Sequence, residues 1–188
     1  MRAWLLILSL AALPALHGCL PVIATGMGTG VLMAEDRRTV GTITEDEGIE
    51  LKARQRLTEK YGDQLHVSIT SYNRLVLLTG EVPSAAAKSD IEKRVRAIEN
   101  VRGVTDELTV AGNSALSSRA NDAFITSKVK ARFLDVGKFQ ANHVKVVTEN
   151  NTVYLLGLVK RKEADDAVQI ARTTSGVQRV VKVFEYLD

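Results

Sequence analysis

Val76-Leu77-Leu78-Thr79-Gly80-Glu81-Val82 returns without a gap, 77 residues later, as Val153-Tyr154-Leu155-Leu156-Gly157-Leu158-Val159. An alternating run stands upstream of each copy, Val67-Ser68-Ile69 and Val144-Lys145-Val146, and even His66 and His143 coincide. Farther out, Ile49, Ala53 and Leu57 match Ile125, Val129 and Phe133 at a spacing of 76, and Val101 and Val104 match Val177 and Val180. One unit of about 65 residues is thus written twice. Solenoid repeats are shorter and need several copies to close a core, so the pattern describes a tandem pair of small domains.

Within each unit the apolar period changes in a fixed order. Ile49, Ala53 and Leu57 recur every fourth residue, as do Ile125, Val129 and Phe133, which places them on one face of a helix. Alternation around Val67 and Ile69, a turn at Tyr72-Asn73-Arg74 and a second, more apolar run predict a β-hairpin, repeated around Glu149-Asn150-Asn151. Pro83-Ser84 then opens a second helix carrying Ala87, Ile91, Val95 and Ile98, matched by Ala164, Ala167, Val168 and Ala171. Residues 101–110 and 177–187, rich in Val, close each unit as a strand. The fold class is α+β: two tandem αββαβ domains, each a three-stranded mixed sheet with two helices on one face and a right-handed crossover. Gly80 and Gly157, inside equivalent strands, predict a bulge or a place where a helix crosses closely; a ligand touching backbone there is the alternative.

The amino terminus carries a different message. Arg2 precedes an apolar stretch over 3–16, with Trp4-Leu5-Leu6-Ile7-Leu8 at its heart, too short for the roughly 20 residues of a spanning helix. Residues 1–18 read as a signal peptide. Leu16-His17-Gly18-Cys19 resembles the bacterial lipobox, although His17 departs from the usual small or β-branched residue, and the resemblance makes Cys19 the lipid attachment point. The alternative is an ordinary secreted protein with a free cysteine, itself unusual in an oxidising compartment. More than one acyl chain is needed for stable anchoring, since each buried methylene contributes about 0.8 kcal/mol. Leu20, not Asp, follows the cysteine; by analogy with lipoprotein sorting this implies the outer membrane, facing the periplasm. Residues 19–45 are then the lipidated tether, 46–110 the first domain, 111–120 a linker and 121–188 the second domain.

Loss of 1–18 removes Arg2 alone and leaves a net charge of +2. The first domain balances ten basic against ten acidic residues over 47–110, whereas 120–188 holds eleven and eight, so the second domain is the cationic one. No His/Cys/Asp cluster has metal-ligand spacing and no motif sets a nucleophile beside a base, so neither a metal or cofactor nor an enzymatic activity is expected. His66 and His143 are explained by the repeat. Glu45-Asp46-Glu47 and Asp165-Asp166 are read as acids near helix starts, where the dipole favours them. Nucleic acid is not an expected partner, because the stacking aromatics of an RNA-binding sheet are absent.

Two αββαβ units, each with an apolar strand ending near Gly and followed by an Ala-rich helix and a Val-rich strand, resemble the BON domain family. A lipobox, then Glu35-Asp36-Arg37-Arg38-Thr39-Val40-Gly41-Thr42, then two such units, is similar to dual-BON outer-membrane lipoproteins associated with cell division and envelope stress. That resemblance implies binding of anionic phospholipids, such as phosphatidylglycerol or cardiolipin, by the first helix of the second unit and its following loop. Phe124, Ser127, Lys128, Lys130, Arg132, Leu134 and Val136 are the candidate residues. Cations beside a protruding aromatic suit a headgroup interface, at about 1 kcal/mol per basic residue. The first unit has Gly48 where Phe124 stands. Two alternatives stay open: a solvated basic face with Phe124 at a core edge, and a protein-interaction scaffold for outer-membrane assembly machinery or regulators of peptidoglycan amidases.

Overall fold

Helix α1 (Val40–Tyr61) is the first element of the computed structural model, which describes residues 36–62 and 65–187. It begins inside the stretch read from sequence as tether, because Thr39 accepts a hydrogen bond from the Thr42 amide and caps the helix there. The signal peptide and Cys19 lie outside the described residues. After α1 come β1 (His66–Tyr72), β2 (Leu75–Val82), α2 (Ala85–Arg96), β3 (Gly103–Asp106) and the short β4 (Thr109–Val110). The second repeat holds α3 (Leu116–Val136), a 3₁₀ turn at Ala141–His143, β5 (Val144–Glu149), β6 (Thr152–Val159), α4 (Arg161–Arg172) and β7 (Arg179–Tyr186). The order αββαβ is present twice. Because α3 starts at Leu116, half of the stretch read as linker is helical.

Each sheet is mixed. β1 and β2 pair antiparallel while β3 and β4 run parallel to β2; β5, β6 and β7 repeat the arrangement. The closing strand of the first repeat is broken at Glu107-Leu108, where Leu108 turns into the core and its amide is held by Asp106 Oδ1 at 3.0 Å.

The hairpins turn through two residues of positive φ, Asn73 and Arg74 in one and Asn150 and Asn151 in the other. Such primed turns match the strand twist and suit Asn, which tolerates the left-handed region. Each turn is held from the first helix of its repeat. Asp46 accepts from the Asn73 and Arg74 amides at 2.9 and 2.7 Å, and Asp122 from the Asn150 and Asn151 amides, both at 2.9 Å. Asp46 is therefore not a helix-start acid: it lies mid-helix, buried, as the acceptor for a neighbouring turn.

Gly80 and Gly157 also have a local explanation. A Cβ at either position would run into a backbone carbonyl, that of His66 at the start of β1 or that of His143 in the 3₁₀ turn just before β5, and Gly80 additionally has φ +111°. The close neighbour is the partner strand, not a crossing helix or a ligand.

Side-chain alternation sorts the apolar side chains of the described residues into three cores. Ile49, Ala53, Leu57, Val76, Leu78, Val82, Ile91 and Val95 fill the space between the first sheet and its helices, and Ile125, Val129, Phe133, Val153, Leu155, Val159 and Ala167 do so in the second. Residues of opposite parity, Tyr72 and Leu77 from the first sheet and Tyr154 and Leu156 from the second, meet in a third core with Leu158 and Val181. The two sheets thus pack through the faces their helices leave bare, giving layers α/β/β/α. This is why β2 and β6 read as nearly continuous apolar runs: both of their faces are covered.

Candidate functional site

Helix α3 presents Ile125, Val129 and Phe133 to the core, each almost fully buried, so residues on its far side face solvent. Phe124 is 61% exposed and Leu134 74%, with Val136 at the helix end also exposed. The Lys128 ammonium lies 4.7 Å from the Phe124 ring centroid, a cation–π approach, and donates to the Ser175 carbonyl. Ser127, exposed, turns its hydroxyl back onto the Ala123 carbonyl at 3.0 Å. Phe124, Ser127 and Lys128 share one stripe at i, i+3 and i+4.

Lys130 and Leu134, four residues apart, stand on an adjacent flank. They line a groove of about 400 Å³ with Arg38, Tyr72, Phe133 and Lys145. Arg38 stacks 4.0 Å from the Tyr72 ring centroid and pairs with Asp36 and Asp46, and Lys145 pairs with Glu50 at 3.2 Å. The cations of this groove are anchored except at its outer edge, where Lys130 is exposed.

Arg132 belongs elsewhere. Its Nη1 donates to the Ile170 carbonyl at 2.9 Å and to Thr174 Oγ1 at 2.8 Å, tying α3 to the end of α4. Arg132 is therefore half-buried and turned toward α4, with one of its guanidinium nitrogens engaged by the protein, while the other candidates of the helix stand farther out.

A second constellation lies between the repeats. His66 Nδ1 stands 2.9 Å from Glu81 Oε2 and 3.8 Å from Glu149 Oε1, so β1, β2 and β5 converge on one point. Asn150 Nδ2 donates to Glu81 Oε1 at 2.7 Å and the Ser114 amide to Oε2 at 3.2 Å. Burial alone would raise the Glu81 carboxyl, but the hydrogen bonds from Asn150, His66 and Ser114 overcome it and hold it below the usual range. Glu149 goes the other way: burial pushes it up, helped by Glu81 and Asp122 against the opposing pull of His66 and Arg119. Positions 66, 81 and 149 are too far apart in the chain for any local motif to join them. The one available signal was that Glu81 and Glu149 break the repeat, standing where its pattern has Leu158 and Tyr72.

No described helix is long and apolar enough to cross a membrane. A family profile described as "BON domain" matches residues 45–112 and 121–188. The chain is 36% identical over 176 residues to the outer membrane lipoprotein DolP of Haemophilus influenzae, covering 92% of this chain and 91% of that protein. It is 29% identical to the 21 kDa hemolysin of Actinobacillus pleuropneumoniae, covering 81% and 80% of the two chains. The osmotically-inducible protein Y of Escherichia coli is likewise 29% identical, with 83% and 80% covered.

Proposed function

The chain belongs to the BON domain family and carries two copies of the domain, and from that premise we propose that it is a periplasm-facing outer-membrane lipoprotein whose second copy reads anionic phospholipid. Its relative in Haemophilus influenzae is named an outer membrane lipoprotein and aligns with nearly the whole chain, which supports the same address and anchoring through Cys19. Binding rests on one observation above the others: a largely exposed Phe124 with the Lys128 ammonium over its ring, on a helix whose counterpart has Gly48 and Lys52 at the same places. Inserting a phenyl ring among acyl chains contributes about 1.5–3 kcal/mol, and each nearby cation about 1 kcal/mol against an anionic surface. Phe124, Lys128, Lys130, Leu134 and Val136 form this surface, with Ser127 inside the stripe and Arg132 bracing it from behind. Concentration at division sites and support of envelope integrity follow from lipid reading of this kind. The scaffold alternative would use the first repeat or its sheet surface; the sheet face is covered by the second sheet, which leaves that reading the helical side of the first repeat.

The test is co-sedimentation with phosphatidylglycerol or cardiolipin vesicles against zwitterionic ones. Phe124→Ala with Lys128→Glu is expected to lose at least tenfold in affinity for anionic vesicles alone, with an unchanged circular dichroism spectrum. Equal binding by both proteins, or none by either, would return the scaffold reading to first place.

A further inference from the structure

The positions 66, 81 and 149 have repeat equivalents at 143, 158 and 72, each related by the same shift of 77 residues. The two triplets therefore mark corresponding ends of the interface between the sheets. At one end Tyr72 points its hydroxyl at the His143 carbonyl, 3.5 Å away, and Leu158 joins the apolar layer between the sheets. At the other end the same three positions hold His66, Glu81 and Glu149. The fold can thus close this junction with a tyrosine and a leucine. It instead buries two carboxylates, 2% and 8% exposed, beside a single imidazole. Two carboxylates in a shielded place are costly unless hydrogen bonds, a shared proton or an opposite charge offset them, and a cation held between them would supply that charge.

We propose that His66, Glu81 and Glu149 form a binding site for a first-row divalent cation of the Zn²⁺ type, joining the two BON repeats through one ion. Their ligand atoms all lie within 4.8 Å of one another. Bonds of about 2.0–2.2 Å in a tetrahedron set ligands roughly 3.4 Å apart, and the 2.9 and 3.8 Å separations from His66 Nδ1 straddle that value. One nitrogen and two carboxylate oxygens are donor types that Zn²⁺ takes, and three protein ligands leave the fourth tetrahedral position to water. They do not match the six or more oxygens that Ca²⁺ takes. A second layer is in place, since Asn150 and the Ser114 amide orient Glu81, as outer hydrogen bonds orient metal-bound carboxylates elsewhere. There is also a way in: His66 and Glu149 border a cleft of about 320 Å³ lined by Arg119, Asp122 and Thr126. Arg119 is the cation at this mouth, and its guanidinium is turned to Ser114, at 3.0 Å from the carbonyl. Because His66 and Glu81 come from the first repeat and Glu149 from the second, the bound ion fastens one sheet to the other.

The experiment uses the full chain in a neutral detergent, with Zn²⁺ supplied against a chromophoric chelator and Ca²⁺ as the contrasting ion. One equivalent of Zn²⁺ is expected to bind and Ca²⁺ to be ignored, with a rise in the unfolding midpoint. Of the two imidazoles that follow Cys19, His66 and His143, that of His66 alone should move in a nitrogen-15 spectrum of the unaltered protein. Glu149→Gln preserves shape and should weaken uptake by at least about tenfold, the scale seen when even an outer partner of a metal ligand is lost. Absence of stoichiometric uptake, uptake that leaves the His66 resonance unmoved, or a Glu149→Gln protein that binds equally well would each overturn the site. The spectral reading needs no variant, so misfolding of Glu149→Gln does not blunt it.

Discussion

Helices α1 and α3 occupy the same place in their repeats and bury the same positions, Ile49, Ala53 and Leu57 in one and Ile125, Val129 and Phe133 in the other. Each also sends one aspartate, Asp46 or Asp122, to the amides of its hairpin turn. Outward they differ. α1 carries four basic and five acidic residues and a glycine at 48, whereas α3 carries four basic and two acidic residues and Phe124. Inward positions answer to a close-packed core, where a change of even one methylene is felt, while outward positions answer only to solvent and whatever binds there. The divergence of two otherwise equivalent faces is therefore a guide to function, and it points to the second repeat. The same argument applies to the junction of the sheets, where Tyr72, His143 and Leu158 at one end face Glu149, His66 and Glu81 at the other.

The largest effects test whether the repeats are equal inward. Leu78 and Leu155, both fully buried at equivalent positions, should each cost about 2–5 kcal/mol on truncation to alanine, measured by urea unfolding. Because a third core joins the sheets, each variant should shift one common transition. Two separable transitions would show that the repeats unfold independently and break the comparison at its root.

Next comes the pair of turn-holding aspartates. Alanine at Asp122 leaves two turn amides without their acceptor and should cost about 1–3 kcal/mol. Asp46→Ala should cost more, because Asp46 also accepts from Ser71 Oγ at 2.6 Å and pairs with Arg38 at 3.0 Å. Equal losses would mean that the extra partners of Asp46 add nothing net.

The smallest effect sharpens the outward difference. A Cβ at Gly48 would meet nothing within 4 Å, so Gly48→Ala should stabilise α1 by about 0.5–1 kcal/mol without altering vesicle binding. A gain in lipid affinity from alanine alone would show that α1 is restrained only by its glycine and that the two helices differ less than their surfaces suggest.

Much of this molecule is legible in its sequence. The 77-residue repeat named the domain count, and the switch from fourfold to twofold spacing named the order of elements, because an amphipathic helix and a half-buried strand write different periods. The same periodicity set Phe124 and Lys128 beside the core stripe of Ile125, Val129 and Phe133, but whether Phe124 stood in solvent or at a core edge was decided by the structure, where it is largely exposed. Arg132 misled because it flanks the core stripe, and periodicity does not say that the end of α4 lies within reach of its guanidinium. Asp46 misled likewise, since its role depends on a turn 27 residues away.

What the sequence determined by itself was most of what is local or repeated: element type, order, duplication and the core-facing stripe of each helix, but neither where α1 and α3 begin nor that Gly80 and Gly157 answer to the partner strand. The tertiary structure alone decided how the two sheets meet, which side chains bridge α3 to α4, and that His66, Glu81 and Glu149 share one point. The reason is physical. Periodicity records which face of an element is buried but not against what, and contacts between elements distant in the chain depend on packing that no single stretch encodes.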